Sequence, residues 1–155
     1  MSTKMQLDTS ALDKFARQLE DLEKLPQRCV TSAARKAAYA LRKSVKTSGR
    51  TPEDTGNLKK GIIVIPERSR RKGKKVYQIV FDRSMNDVFQ KKNAEGKVSG
   101  YYPSSQEYGF FTKDGQYIPG YRFMRDTTEE RAGETEKIIL DALCKELDKE
   151  WQKKQ

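Results

Sequence analysis

The sequence contains no histidine and only two cysteines, Cys29 and Cys144. The lack of histidine removes the commonest general base and the commonest metal ligand of proteins. The two cysteines lie far apart, without the close spacing of a zinc-binding pair, and we expect both to be buried thiols in a reducing compartment. The sequence therefore predicts no metal site and no cofactor.

Familiar catalytic motifs are missing as well. The chain has no Gly-x-x-x-x-Gly-Lys-Ser/Thr phosphate loop and no Gly-x-Ser-x-Gly turn. Asp54-Thr55-Gly56 does match the Asp-Thr-Gly of retroviral-type aspartic proteases. In those proteases an apolar strand precedes the aspartate, whereas a basic helix and Pro52 precede it here. We therefore predict that the chain is not an enzyme.

Long apolar runs are also lacking. No segment approaches the ~18 consecutive apolar residues of a membrane span, and the first residues lack the apolar centre of a signal peptide. We expect a protein that is made and kept in a cytoplasm and that has no membrane partner. The length of 155 residues suits a single domain over residues 1–155 with one hydrophobic core. Residues 1–9 and 152–155 are expected to be frayed tails.

Positive charge is what the sequence has in excess, with a net charge of +10. Residues 26–50 carry a net +7 and residues 67–81 a net +5, so the rest of the chain is slightly acidic. Such a field attracts polyanions, nucleic acid above all, and the shortage of interleaved aromatic residues favours contact with phosphates rather than bases. A solvated surface helix and a soluble hairpin tip are the alternative interpretations. The expected polyanion contacts are Arg35, Arg42, Lys46, Arg68, Arg70, Arg71, Lys72, Lys74 and Lys75.

Hydrophobic periodicity predicts an α+β fold. Apolar residues at helical spacing indicate two N-terminal helices, separated at Pro26, and a long C-terminal helix from about Phe123 to Trp151. Two apolar runs, ending at Ile65 and Phe81, indicate an antiparallel hairpin with a long basic loop. Residues 82–100 show no clear hydrophobic period, which predicts a loop with a short helix near residues 86–92. We expect the C-terminal helix to pack on an antiparallel sheet of about four strands, near residues 61–66, 75–82, 104–109 and 116–119.

Aromatic residues are concentrated in one short segment. Seven of them fall within residues 101–121, around the turn-forming sequence Lys113-Asp114-Gly115. This cluster exceeds what one small core needs, and exposed aromatic patches commonly mark interfaces. A local cluster that pins the loop to its own sheet is the alternative. The C-terminal helix has an apolar side wider than packing on one sheet requires. The expected subunit-interface residues are Phe110, Phe111, Tyr117, Leu140 and Trp151.

An elbow rich in turn-forming residues joins the basic helix to the first strand. Pro52 ends the helix, and Asp54, Thr55 and Gly56 supply turn chemistry before Leu58. This stretch is similar to the Asp-Thr-Gly-x-Leu-x-x-x-Ile signature of a family of tailed-phage neck proteins. The family is the gene-product-ten-like group of head-tail joining, or tail-completion, proteins of lambdoid siphophages.

A second match lies downstream, and both the order and the spacing of the two matches agree with the family. Residues 106–109 (Gln-Glu-Tyr-Gly) and 118–124 (Ile-Pro-Gly-Tyr-Arg-Phe-Met) resemble its Val-Glu-aromatic-Gly and Pro-x-x-Pro-Phe-Leu/Met pair. The sequence departs from the family at Gln106, which replaces an aliphatic residue, and at Tyr121-Arg122, which replaces Arg-Pro. The resemblance covers roughly residues 8–147. The matched residues are Asp54, Thr55, Gly56, Leu58, Glu107, Tyr108, Gly109, Pro119 and Phe123.

Glu107 is the one motif residue that could suggest chemistry. Nothing in the sequence supplies the partner that a general acid would need. We expect Glu107 to make a structural hydrogen bond or an intersubunit salt bridge instead.

The resemblance implies a structural virion protein at the head-tail junction. It implies a homo-oligomeric ring, a hexamer being one candidate size, around the conduit through which phage DNA passes without sequence-specific contacts. The implied neighbours are the phage connector or stopper and the tail terminator or tube proteins. The alternative, drawn from the charge, is a free-standing bacterial protein that binds nucleic acid without sequence preference.

Overall fold

The computed structural model describes the backbone of residues 10–68 and 70–153 and the side chains of residues 27–68 and 70–153. One helix, α1, spans Ser10–Thr47. The prediction of two N-terminal helices separated at Pro26 was therefore wrong. Proline removes one backbone donor from a helix interior. The residues just before it, Leu-Glu-Lys-Leu, and the alanine-rich segment after it are strong helix formers, and the helix continues.

Four short helices, six short strands and one longer helix follow α1 among the described residues, which confirms the predicted α+β class. A 3-10 turn, Arg83–Met85, directly precedes the helix that begins at Asn86. The helices are α2 (Asn57–Lys60), α3 (Asn86–Phe89), α4 (Tyr102–Tyr108), α5 (Phe123–Glu130) and α6 (Ala132–Gln152). The strands are β1 (Ile62–Pro66), β2 (Tyr77–Phe81), β3 (Gln90–Lys92), β4 (Val98–Tyr101), β5 (Gly109–Phe111) and β6 (Tyr117–Pro119). Of the predicted tails, residues 1–9 and 154–155 lie outside the described residues, and Gln152 belongs to α6.

The strands form three separate antiparallel hairpins, β1-β2, β3-β4 and β5-β6, so the predicted four-stranded sheet was wrong. In the first hairpin Ile62 lies opposite Phe81. The strand predicted over residues 104–109 is helix α4, and Pro103 occupies its first turn, where a missing amide costs nothing. The hairpin β3-β4 lies in residues predicted to be a loop, and α3 occupies the first part of the short helix predicted there.

Aromatic ring contacts join the first two hairpins where a continuous sheet was expected. Phe81 meets Phe89 edge-to-face, with the ring centroids 6.1 Å apart, and Phe89 meets Tyr101 at 6.1 Å. Phe89 is completely buried and lies against Gly61, where an added Cβ would come within 2.4 Å of its ring. The chain of rings therefore carries the packing from β2 to β4 without strand pairing.

The central core combines side chains from α1, α2, β1 and α5. Val45, Leu58, Ile62 and Phe123 form a buried cluster. Ile79 and Phe81, on the predicted core face of β2, and Met124 of α5 pack against it. The start of the C-terminal helical segment thus packs on the β1-β2 hairpin through its first two residues.

The remainder of the C-terminal segment packs on α1. This segment is divided at Arg131 into α5 and α6, and α6 lies along α1. The ion pair between Lys36 and Glu146, 2.8 Å, and that between Arg50 and Glu130, 2.7 Å, show that the two segments run antiparallel. Small buried residues let the helices approach closely: Cys29, Ala33 and Ala37 on α1, and Ala142 on α6. Cys144 is exposed, so the expectation of two buried thiols holds only for Cys29.

Candidate functional site

The two halves of the downstream motif meet at the start of α5. Glu107, at the end of α4, is only 4% exposed. Its Oε2 accepts a hydrogen bond from the backbone N–H of Met124 at 2.9 Å, and its Oε1 accepts one from Arg125 at 3.0 Å. A carboxylate in this position satisfies two of the free N–H groups at the helix start and lies at the positive end of the helix dipole. Glu107 thus makes the structural hydrogen bonds that the sequence predicted.

Two glycines allow the motif halves to come this close. Gly109 has a φ of +88°, and an added Cβ would lie 2.2 Å from the carbonyl oxygen of Ile118. At Gly120 an added Cβ would lie 2.4 Å from the carbonyl oxygen of Glu107. A backbone hydrogen bond also joins the two segments: the N–H of Arg122 donates to the carbonyl oxygen of Glu107 at 3.0 Å. We call this arrangement the motif junction. Its residues have a structural role, because they hold the two motif segments together.

The elbow between α1 and β1 is equally structural. Gly56 adopts a left-handed conformation with φ of 74° and leads into α2, whose Leu58 is buried in the core. Asp54 and Thr55 are exposed. Thr51 is buried, and its hydroxyl donates to the carbonyl oxygen of Val45 at 2.5 Å. The elbow therefore fixes the end of α1 relative to β1.

Two of the basic residues predicted to contact polyanions donate hydrogen bonds to backbone carbonyl groups of α2 and β1. Arg42 Nε donates to the carbonyl oxygen of Ile62 at 3.0 Å, and Lys46 Nζ lies 3.5 Å from that of Lys60. Partial burial lowers the pKa of Lys46, and the positive charge of Arg42 lowers it further. Arg35 is exposed, and both Arg35 and Arg42 lie 5.7 Å from the centre of the Tyr39 ring. Arg35 is thus the most accessible of the three helix residues.

The basic loop between β1 and β2 lies against α1. The described residues of the loop from Arg68 to Lys74 are exposed, and a shallow cavity of about 280 Å³ is lined by Glu67, Val76 and four of the basic side chains. Gln27 holds the tip of the loop, because its Oε1 accepts the N–H of Gly73 at 2.8 Å and its Nε2 lies 3.4 Å from the carbonyl oxygen of Lys74. Lys75 is folded back, with its Nζ donating to the carbonyl oxygen of Glu67 at 2.9 Å. The four lining basic residues are Arg68, Arg70, Arg71 and Lys74.

Sequence reasoning missed Gln27, since a single glutamine after a proline carries no signal for a contact 46 residues away. Replacing Gln27 with Ala is expected to release the loop tip and to accelerate solvent exchange of the Gly73 amide about 2- to 10-fold, the equivalent of one neutral hydrogen bond. NMR measurement of amide exchange checks this. Gln78→Ala, which removes a side chain of β2 that reaches Glu67 and not α1, is the matched control. Equal acceleration by both variants would contradict the tether.

The residues predicted to form a subunit interface are all exposed. On the β5-β6 hairpin, Phe111 is 73% exposed, and its ring lies 5.2 Å from that of Tyr117. Leu140 and Trp151, on α6, are 61% and 60% exposed. The hairpin and α6 pack on different partners, α4 and α1 respectively, so they present two separate apolar surfaces. Phe110 is exposed as well.

The comparisons add no relative: the chain matches no protein-family model, no curated protein and no solved structure. Over residues 10–68 and 70–153, no helix is long and apolar enough to cross a membrane. The same part of the chain holds no group of three or more Cys, Asp or Glu side chains arranged to bind a metal ion.

Proposed function

We propose that this chain is a structural subunit of the neck of a tailed phage or prophage, a head-tail joining or tail-completion protein that assembles into a ring around the DNA conduit. The proposal begins from the resemblance of the elbow and of the motif junction to that family. The junction supports it, because the matched residues Glu107, Gly109 and Phe123 form one structural unit.

The distribution of hydrophobic side chains is the observation that carries the proposal. Among the described side chains, nine hydrophobic residues are buried, four of them alanine or cysteine, whereas fourteen large hydrophobic residues are exposed. Where such residues cluster, as they do on the β5-β6 hairpin and on α6, they commonly mark surfaces that proteins bury against partners. Copies of the same chain and neighbouring neck proteins would supply that burial, which suits a virion subunit.

The basic loop has a role in this proposal. A conduit for a genome requires a lining that attracts phosphate weakly and ignores sequence. The exposed residues Arg68, Arg70, Lys72 and Lys74 suit such a lining, and the Gln27 contact would hold them in place without DNA. Their placement towards the DNA is part of the proposal.

A second candidate is a free-standing nucleic-acid-binding protein. One observation favours it: Gln27 holds the tip of the basic loop against α1, next to the exposed Arg28 of the basic segment of that helix. Basic residues brought together in this way can bind a phosphate backbone without any ring.

Native mass spectrometry and DNA mobility shifts separate the two candidates. A neck subunit is expected to form a closed oligomer of one stoichiometry and to bind duplex DNA weakly as a monomer. A DNA-binding monomer whose affinity falls steeply with salt would overturn the neck proposal. In that case, changing Arg68, Arg70, Lys72 and Lys74 to Gln would reduce the slope of log K against log salt by about 0.9 per lost phosphate contact. The matched control removes four exposed charges elsewhere, by changing Lys60, Lys91, Lys92 and Lys97 to Gln.

A further inference from the structure

Helix α6 has a second apolar face in addition to the one that packs on α1. Leu140, Cys144, Leu147 and Trp151 are all exposed. Their spacing of four, three and four residues is that of the contact positions of a coiled coil, and it places them in one line along the helix. Ala142, which is buried, points in a different direction. We call these four residues the outer seam of α6.

The charges beside the outer seam are mostly negative, although the chain as a whole is strongly positive. At about 100° per residue, Asp141 and Asp148 lie on one side of the seam and Glu136 lies on the other. Lys137 is the one lysine close to the seam among the described residues of α6. Asp141 and Asp148 are exposed, and neither forms an ion pair with a side chain that the structure describes. Two seams packed on each other would bring these carboxylates together, which is unfavourable. The seam therefore suits a partner that is apolar and positively charged.

The β5-β6 hairpin has these properties. Two of its three cross-strand pairs, Phe110 with Ile118 and Phe111 with Tyr117, lie on opposite faces, and all four side chains are exposed. A two-stranded hairpin with both faces in water is marginally stable and gains from being covered. Lys113 is exposed at its tip, and Arg122 is exposed near its base. The turn contains one acidic residue, Asp114, so the positive charges outnumber the negative one.

We propose that the β5-β6 hairpin of one copy docks on the outer seam of α6 of the next copy. This inference rests on the proposed self-assembly and names the surfaces that would carry it. Because the two surfaces differ, the contact is head to tail, and repeating it produces a ring when the rotation between copies closes. The apolar side chains of the hairpin would cover Leu140, Leu147 and Trp151, and Lys113 would face the acidic sides of the seam.

Disulfide cross-linking tests the docking, because Cys144 is a natural probe within the seam. Cys29 is buried, and burial raises the pKa of its thiol, so it remains unreactive in the folded protein. Gln116→Cys places a second thiol on an exposed residue of the hairpin turn. Under mild oxidation this variant is expected to give a ladder of covalent trimers and larger species, since every copy then has one thiol on each surface.

Three controls make the result decisive. The ladder is expected to vanish in the Gln116→Cys, Cys144→Ser double variant. Ala94→Cys, at the tip of the β3-β4 hairpin, is expected to give no ladder. Wild-type dimers joined through Cys144, with no ladder from Gln116→Cys, would overturn the docking in favour of a seam that pairs with itself. If the Gln116→Cys variant assembles into oligomers but gives no cross-linked species on oxidation, the docking alone is overturned. If the chain never self-associates, the docking and the ring are overturned together.

Discussion

Replacement of Phe123 by Ala is expected to lower the free energy of unfolding by about 3–5 kcal/mol. The Phe123 side chain is 0% exposed, and its ring meets Phe81 edge-to-face at 6.4 Å. It fills the space between α1, α2, β1 and α5, so its loss leaves a cavity that no single element can close. Because domains of this size are stable by only about 5–15 kcal/mol, this loss is a large fraction of the total stability. Urea unfolding followed by far-ultraviolet circular dichroism measures the change.

Tyr121→Ala is the matched control for this variant. It removes an aromatic side chain two residues earlier, but that side chain is exposed. The backbone N–H of Tyr121, which donates to the carbonyl oxygen of Gln106 at 2.7 Å, is kept. The unfolding midpoint of this control should remain close to that of the wild type. Similar losses in the two variants would show that Phe123 is not at the centre of the core.

Local sequence signals predicted the parts of the fold that depend on local chemistry. The apolar runs form strands β1 and β2, and Gly56 in the elbow adopts a left-handed conformation, as expected. Both outcomes depend on conformational preferences of short segments, those of β-branched residues for strands and of glycine for turns. The aromatic hairpin around Gly115 was found for the same reason, although its first strand begins at Gly109 and not before it.

Long-range pairing could not be predicted in this way. Whether two hairpins join into one sheet depends on contacts between distant residues, and here the rings of Phe81, Phe89 and Tyr101 take the place of strand pairing. Pro26 misled for a related reason, because the favourable propagation of helix on both sides outweighs one missing hydrogen bond.

The residues of the candidate sites also fall into those that the sequence could predict and those that depend on long-range contacts. Glu107 was recognised from a motif, and its lack of a catalytic partner pointed to a structural role. Gln27 and the exposed position of Cys144 could not be found, since each depends on which face of a helix meets the rest of the chain. The basic residues Arg42 and Lys46 were assigned from charge, which does not reveal that their side chains reach the backbone of Ile62 and Lys60.

Glu107→Ala is expected to lower the free energy of unfolding by about 2–4 kcal/mol, because two charge-assisted hydrogen bonds at the start of α5 are lost inside the protein. Glu107→Gln keeps the shape of the side chain but directs an NH₂ group towards one of the two N–H donors, so a loss between those of the wild type and the Ala variant is expected. Glu129→Ala removes an exposed carboxylate that pairs with Arg125 on the same helix, and it should change the midpoint little. A Glu107→Ala midpoint equal to that of Glu129→Ala would refute the capping role.

The effects of Glu107 and Phe123 should be coupled, because the capped turn carries both the two amides and the buried ring. Once the Glu107 carboxylate is gone, the first turn of α5 can loosen, and part of the Phe123 contacts with Ile62 and Val45 is lost with it. The double variant Glu107→Ala, Phe123→Ala should therefore cost less than the sum of the two single variants, by roughly 0.5–3 kcal/mol. Strict additivity would mean that the cap and the core act independently, and that the motif residues are neighbours without being one structural unit.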